Sequence, residues 1–263
     1  MTVLEALLAD LAEVGDHLRA AVADLTEEQW RTPTPAEGWD IATQIAHLAW
    51  TDEAAVLAAR AAAGDQAGWD ELVLAAIADP EGVIDAAALS GGAVAPADLL
   101  QRWDASRAAL ATALRGTDAK LPWFGPPMSP ASMATARLME TWAHGLDVYD
   151  ALGIAPPRTD AVRHVAHLGV RTRGYSFAAH ELDAPTEEIQ VTLVLPTEEV
   201  VTFGPDDAPQ TVTGSAWYFA QLVTQRIHRD DTDLVAHGAD AEQWLQIAQA
   251  FAGPAGGGRE ASR

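Results

Sequence analysis

The sequence predicts a two-domain α+β protein, an N-terminal four-helix bundle followed by a smaller α+β domain. Three observations predict it. Apolar residues recur at helical period through residue 153, the period shortens to two beyond Pro156-Pro157, and the connections are short. The expected boundaries are 1-156 for the bundle, 157-253 for the second domain, and 254-263 for a Gly-rich tail expected to be disordered.

Each element has a local reason. Val3, Leu7, Leu11, Val14, Leu18 and Val22 share one face of a first helix over 3-24. Thr26, ahead of Glu27 and Glu28, caps a short turn ending at Trp30. Pro33 and Pro35 interrupt the chain, and Asp40 N-caps a second long helix to about Ala63. Pro80 divides the shorter helices expected between Asp65 and Ala88, and Ser90-Gly91-Gly92 reads as a loop. Pro96 opens a third long helix to Arg115. After the rigid loop 121-130, Ser129 caps a fourth long helix that Pro130 opens and Gly153 closes.

In the second domain a helix is expected from Asp160 to about Leu182. Ile189, Val191, Leu193 and Leu195 alternate as a strand, and Thr197-Glu198 turns the chain into a second strand at Val200-Val201-Phe203. Thr211-Val212-Thr213 is a third strand. Leu234-Val235 is an edge strand between helices at 217-227 and 241-251.

Composition excludes several function classes. A net charge of -22 argues against nucleic acid or an anionic membrane as partner and is read as serving solubility. No apolar run approaches the length of a membrane span. The first residues interleave acids with Leu and Val, unlike a secretion signal, so a cytoplasmic location is expected. The chain has no cysteine. Any metal must be held by His, Asp or Glu, and any thiol chemistry needs a thiol brought from outside.

The strongest functional signal is Glu140 and His144 in LMETWAHGLDVYDAL. Residues at i and i+4 share a helix face, about 6 Å apart, so a carboxylate oxygen and an imidazole nitrogen can meet on one cation. The same pair also reads as a hydrogen-bonded core pair, and a third ligand is needed to separate the two readings. His47, in GWDIATQIAHLAWTDEA, lies on the face of its helix that carries Thr43, Ala46 and Trp50. Bundle cores build metal sites from side chains on facing helices.

GWDIATQIAHL followed about ninety residues later by E-T-W-A-H-G-L-D resembles the DinB-like metal-binding bundle, in particular the mycothiol-dependent maleylpyruvate isomerase family. The resemblance implies a divalent metal on His47, Glu140 and His144, and a C-terminal domain similar to sterol-carrier folds. It implies mycothiol as the thiol, with thiolate addition to a conjugated double bond, rotation and loss of the thiol. It also implies a substrate-binding arginine in the second domain, matched by Arg226, with Arg229 as a competitor in register.

Two histidines and a carboxylate leave a coordination position open, as catalytic zinc does, and they also suit iron or nickel. The expected function is a metal-dependent, thiol-dependent isomerase or thiol transferase acting on a small acidic or electrophilic substrate. The alternatives are a thiol-free Lewis-acid enzyme (hydrolase, lyase or biosynthetic tailoring) and a non-catalytic metal or small-ligand binding protein. Asp147 reads either as the acceptor orienting a ligand imidazole or as a capping acid. Trp39, Trp50 and Trp142 flank the ligand positions, and Trp50 and Trp142 are taken as pocket walls. His164 and His167 form an H-x-x-H read as packing, while nothing in the pattern fixes the direction of Arg171 and Arg173.

Overall fold

The computed structural model describes residues 2–80 and 82–262. The chain divides into two compact units, Met1–Pro156 and Pro157–Arg263.

The first unit is built on four long helices, α1 (Val3–Val22), α3 (Ile41–Ala62), α6 (Pro96–Arg115) and α7 (Pro130–Leu152). Three short helices, α2 (Glu27–Trp30), α4 (Ala67–Ala78) and α5 (Val83–Gly92), join them. The caps at Thr26, Asp40 and Ser129 are those the sequence names, and Thr2 adds one at α1. The side chains of Thr2, Asp40 and Ser129 accept backbone N–H bonds at the starts of α1, α3 and α7, and Thr26 with Gln29 forms a reciprocal capping box on α2.

Helix α3 is buried nearly all round, as a central helix must be. It joins two apolar clusters. Ala55, Ala58 and Ala59 pack with Leu7, Leu8, Leu110 and Leu114, while Ile41, Ile45 and Leu48 pack with Trp30, Leu99, Trp103 and Val148. Burial of such side chains contributes roughly 1.5–3 kcal/mol each. Three ion pairs, Arg19–Asp104, Arg107–Asp16 and Arg115–Glu5, tie α1 to α6 at the surface and add little by comparison.

Ser90-Gly91-Gly92, expected as a loop, forms the end of α5. The reason is close packing on α3. A Cβ on Gly92 would stand 3.0 Å from the Thr43 amide nitrogen, and one on Gly91 would stand 3.0 Å from the Ala46 Cβ. Small residues here serve helix-to-helix approach rather than a turn.

The second unit holds a four-stranded sheet in the order β2-β1-β3-β4, from β1 (Ile189–Val194), β2 (Val200–Phe203), β3 (Gln210–Ser215) and β4 (Val235–His237). β1 runs antiparallel to β2 and parallel to β3, and β4 is antiparallel to β3. Ile189, Val191 and Leu193 point to the buried face, as their alternation requires. The helices are α8 (Val162–Arg171), α9 (Arg173–Ala179), α10 (Ala216–Val223) and α11 (Ala239–Ile247).

Three of these helices end before their expected limits. The single helix expected over 160–182 breaks at Thr172, whose hydroxyl donates back to the carbonyls of Leu168 and Gly169. It stops at Ala179, because Glu181 takes φ +58° and Leu182 N–H closes onto Phe177 O. α10 stops at Val223 for the same reason: Gln225 takes φ +59° and Arg226 N–H reaches Gln221 O. Both caps use a non-glycine residue in the left-handed region, so no glycine marks them in the sequence. α11 stops at Ile247, and Gln249 then exchanges hydrogen bonds with the Ser176 hydroxyl. Residues 254–262 form no helix or strand; Gly256 N–H donates to Gln249 Oε1 and Ser262 N–H to Asp231 Oδ2.

Candidate metal centre in the helical unit

His47 on α3 and Glu140 and His144 on α7 come together, their nearest ligating atoms all within 4.8 Å of one another. Glu140 Oε2 lies 3.2 Å from His47 Nε2 and 3.3 Å from His144 Nε2. A tetrahedral site with bonds of about 2.0–2.1 Å has ligand–ligand edges of roughly 3.3–3.4 Å, so these separations suit one cation.

The surroundings set the chemistry of each donor. His144 Nδ1 lies 2.6 Å from Gln44 Oε1, Gln44 Nε2 donates to Thr34 Oγ1 at 2.9 Å, and the Thr34 hydroxyl donates to Trp39 O at 2.9 Å. Because Gln44 spends its amide N–H on Thr34, its carbonyl faces the imidazole and the proton belongs on Nδ1. With Nδ1 as the donor to Gln44, Nε2 is the nitrogen that would give up its contact with Glu140 and ligate a bound cation. Asp147, weighed in the sequence for the orienting role, is buried further along α7; the acceptor placed at Nδ1 is Gln44.

His47 is held neutral. Burial and the neighbouring His144 push its pKa from 6.5 down to about 4, against the hydrogen bond to Glu140 that raises it. Its Nδ1 is buried without a hydrogen-bond partner, so the metal-free ring keeps its proton on Nε2, toward Glu140. For Glu140, burial raises the pKa. Hydrogen bonds from both histidines and the charge of Arg137 outweigh it and hold the carboxyl well below its usual range.

Sequence reasoning missed the groups behind the triad. Arg137, one turn before Glu140, is 3% exposed; its Nη2 lies 3.7 Å from Glu140 Oε2 and its Nε 3.6 Å from Asp52 Oδ1. Asp52 is buried equally deeply, and burial raises its pKa to about 7 despite Arg137. The spacing signal was present, since Arg137 precedes Glu140 by three and Asp52 follows His47 by five, but acids and arginines on helices are common. Trp39 was also undervalued. Its ring stacks on His144 at 5.8 Å and tilts over His47 at 5.2 Å. A turn places it there, with Gly38 at φ +78° and Thr34 N–H bonded to Trp39 O. Trp142 is buried on α7 and Trp50 half-buried on α3. Arg226 belongs to the second unit, beyond the end of α10, where its Nη1 donates to Thr224 O at 2.6 Å.

Gln44→Leu is expected to lower divalent-metal affinity about 10–100-fold while leaving the fold intact, because the His144 tautomer loses its anchor. Competition titration against a chromogenic chelator checks it.

Two opposed titrations should mark metal-free stability. His47 is protonated in the unfolded chain below about pH 6.5 and in the fold only near 4, so its contribution weakens stability as pH falls through that window. Asp52 holds its native proton up to about pH 7 against 3.8 unfolded, so its contribution weakens stability as pH rises from 3.8 to 7. The two slopes cancel where the windows overlap. Asp52→Asn is expected to unmask a stability that climbs with pH between about 4 and 6.5, read by urea unfolding of the metal-free protein.

Fold and site thus define a helical bundle carrying a two-histidine, one-carboxylate cluster, followed by a small α+β unit. Residues 11–149 match the family described as mycothiol maleylpyruvate isomerase N-terminal domain. The chain belongs to that family. Two curated relatives from Mycobacterium tuberculosis, of strains CDC 1551 / Oshkosh and ATCC 25618 / H37Rv, are each 53% identical over 254 residues. These matches span 96% of this chain and 97% of theirs, and the names of both relatives assign no activity. The crystal structure of the mycothiol-dependent maleylpyruvate isomerase superposes with a TM-score of 0.59 at 16% identity, over 92% of this chain and 98% of that one. A histidine-to-alanine mutant of that isomerase gives the same TM-score and coverage at 15% identity. At that identity the likeness speaks to the fold. No helix among the described residues is long and apolar enough to cross a membrane.

Proposed function

We propose that the protein is a divalent-metal-dependent enzyme that uses mycothiol in an isomerisation or thiol transfer on a small acidic or electrophilic substrate. One observation carries the reading: ligating atoms of His47, Glu140 and His144 lie within 4.8 Å of one another, with Gln44 fixing the His144 ring through Nδ1. His47, Glu140 and His144 would hold the metal, zinc first, with iron or nickel admitted by the same donors. When bound, it would stabilise a cofactor thiol as the nucleophilic thiolate.

The chain's own residues supply the rest. His144, His47 and Arg137 together keep Glu140 ionised, and the Trp39 ring packs on both imidazoles. With no cysteine, the protein must receive its thiol from outside. We place it in the cytoplasm, where a small thiol stays reduced. We assign Arg226 to a substrate carboxylate, a pairing its planar fork suits.

The test uses the full-length protein loaded with cobalt. Added mycothiol is expected to produce an intense near-ultraviolet band from sulfur ligation, and maleylpyruvate turnover is expected to need both metal and thiol. No band and no binding at millimolar thiol would overturn the thiol reading. Turnover undiminished without thiol would replace it with Lewis-acid chemistry.

A further inference from the structure

We propose that the second unit contains a binding site for a small organic carboxylate with a flat apolar body. The site is a cavity of about 390 Å³ lined by Arg171, Arg173, His167, Phe203, Val191 and Trp244. Its lining residues all belong to the second unit, and none of them is a ligand in the metal reading.

The first observation is charge. In a chain with 38 acids and 16 basic residues, arginines readily find carboxylates, as Arg19, Arg31, Arg102, Arg107, Arg115 and Arg163 all do. Among the described residues, the guanidiniums of Arg171 and Arg173 enter no ion pair, yet both line this cavity. Glu188, the one acid on the lining, is exposed.

The second observation is how the backbone brings them together. In an uninterrupted helix, residues two apart point about 200° apart and cannot share a pocket. Here α8 ends at Arg171 and α9 begins at Arg173, and the break at Thr172 (φ −95°, ψ 10°) lets both side chains line one cavity. The Thr172 hydroxyl, bonded back into α8, holds that break.

The third observation is an unmet donor. Trp244 is fully buried, lines the cavity, and its indole Nε1 has no hydrogen-bond partner. An indole N–H buried this way is costly, and because Trp244 lies on the lining, a ligand in the cavity changes the surroundings of its ring. Val170, Ile189 and Val191 add apolar wall, and Phe203 stands against the His167 ring. His167 is kept toward its neutral form by burial and by Arg171, so it offers a ring face and one N–H rather than a third charge. Two unpaired guanidiniums beside aromatic walls select a planar carboxylate over a bare inorganic anion.

The test follows the tryptophan indole resonances of the full-length ¹⁵N-labelled protein during titration with cinnamate, with Trp244→Phe identifying the Trp244 signal. That signal is expected to move saturably at millimolar cinnamate. The double variant Arg171→Gln/Arg173→Gln, altered at residues outside the core, is expected to bind about tenfold more weakly or worse. His144→Ala is expected to bind as the parent does, which separates this site from the metal centre. An unmoved Trp244 signal, equal binding of cinnamyl alcohol, or undiminished binding by the double variant would each overturn the proposal. So would inorganic phosphate shifting the signal as effectively as cinnamate.

Discussion

Under the metal assignment proposed for His47, Glu140 and His144, replacing His144 or His47 with alanine is expected to abolish divalent-metal binding. The three donors sit on two helices and share one focus at Glu140 Oε2, so removing any of them leaves two ligands. Two ligands cannot close a site that three already leave partly open. After dialysis, metal content measured by elemental analysis should fall from near-stoichiometric to near zero, and thiol-dependent turnover should fall by on the order of a thousandfold or more. Stability gives an independent readout. A metal present at a thousand times its Kd stabilises the native state by about 4 kcal/mol, so a chelator should lower the Tm of the parent and leave that of His144→Ala unchanged. Full metal retention by both alanine variants would sink the assignment.

Arg137→Ala is expected to cost about 3–5 kcal/mol of stability, the largest effect foreseen outside the ligands. Arg137 is 3% exposed and stands between Asp52 and Glu140, with its Nε and Nη2 lacking hydrogen bonds. Its removal leaves a cavity and takes from Glu140 a charge that keeps it ionised. Burial already raises the pKa of Asp52, so Asp52 can take up a proton and part of the loss should be recovered at lower pH. The double variant Arg137→Met/Asp52→Leu should recover part of it at neutral pH, because an apolar pair needs no compensation in the interior. Urea unfolding of the single and double variants gives the coupling directly. A loss below about 1 kcal/mol in Arg137→Ala would show that the charge pair is not structurally important.

Most of the helical unit was legible because its determinants are local. Thr26, Asp40 and Ser129 cap helices through bonds to residues three positions on, and periodic apolar residues give each helix its buried face. The triad was legible for a related reason: helical spacing puts Glu140 and His144 on one face before any packing is known. The helices of the second unit were read too long because Glu181 and Gln225 adopt the left-handed region without being glycine. Each turn closes through a local backbone bond, Leu182 N–H to Phe177 O and Arg226 N–H to Gln221 O, without the glycine that usually marks such a cap.

The sequence by itself determined the four long helices, the switch to a sheet after Pro156-Pro157, the cysteine-free donor set and the pairing of Glu140 with His144, since each depends on residues near one another along the chain. Tertiary structure alone decided what surrounds those donors. Gln44 orients His144 across 100 positions, Trp39 comes in from a turn to stack on both imidazoles, and Arg137 reaches Asp52 from another helix. It also decided that Gly91 and Gly92 serve contact with α3, and that a break at Thr172 turns Arg171 and Arg173 into one cavity. The physical reason is common to all of these. Desolvation, imidazole tautomer and the pairing of charges depend on which side chains are brought within a few ångströms, and in a bundle that is fixed by how helices pack, not by spacing along any one of them.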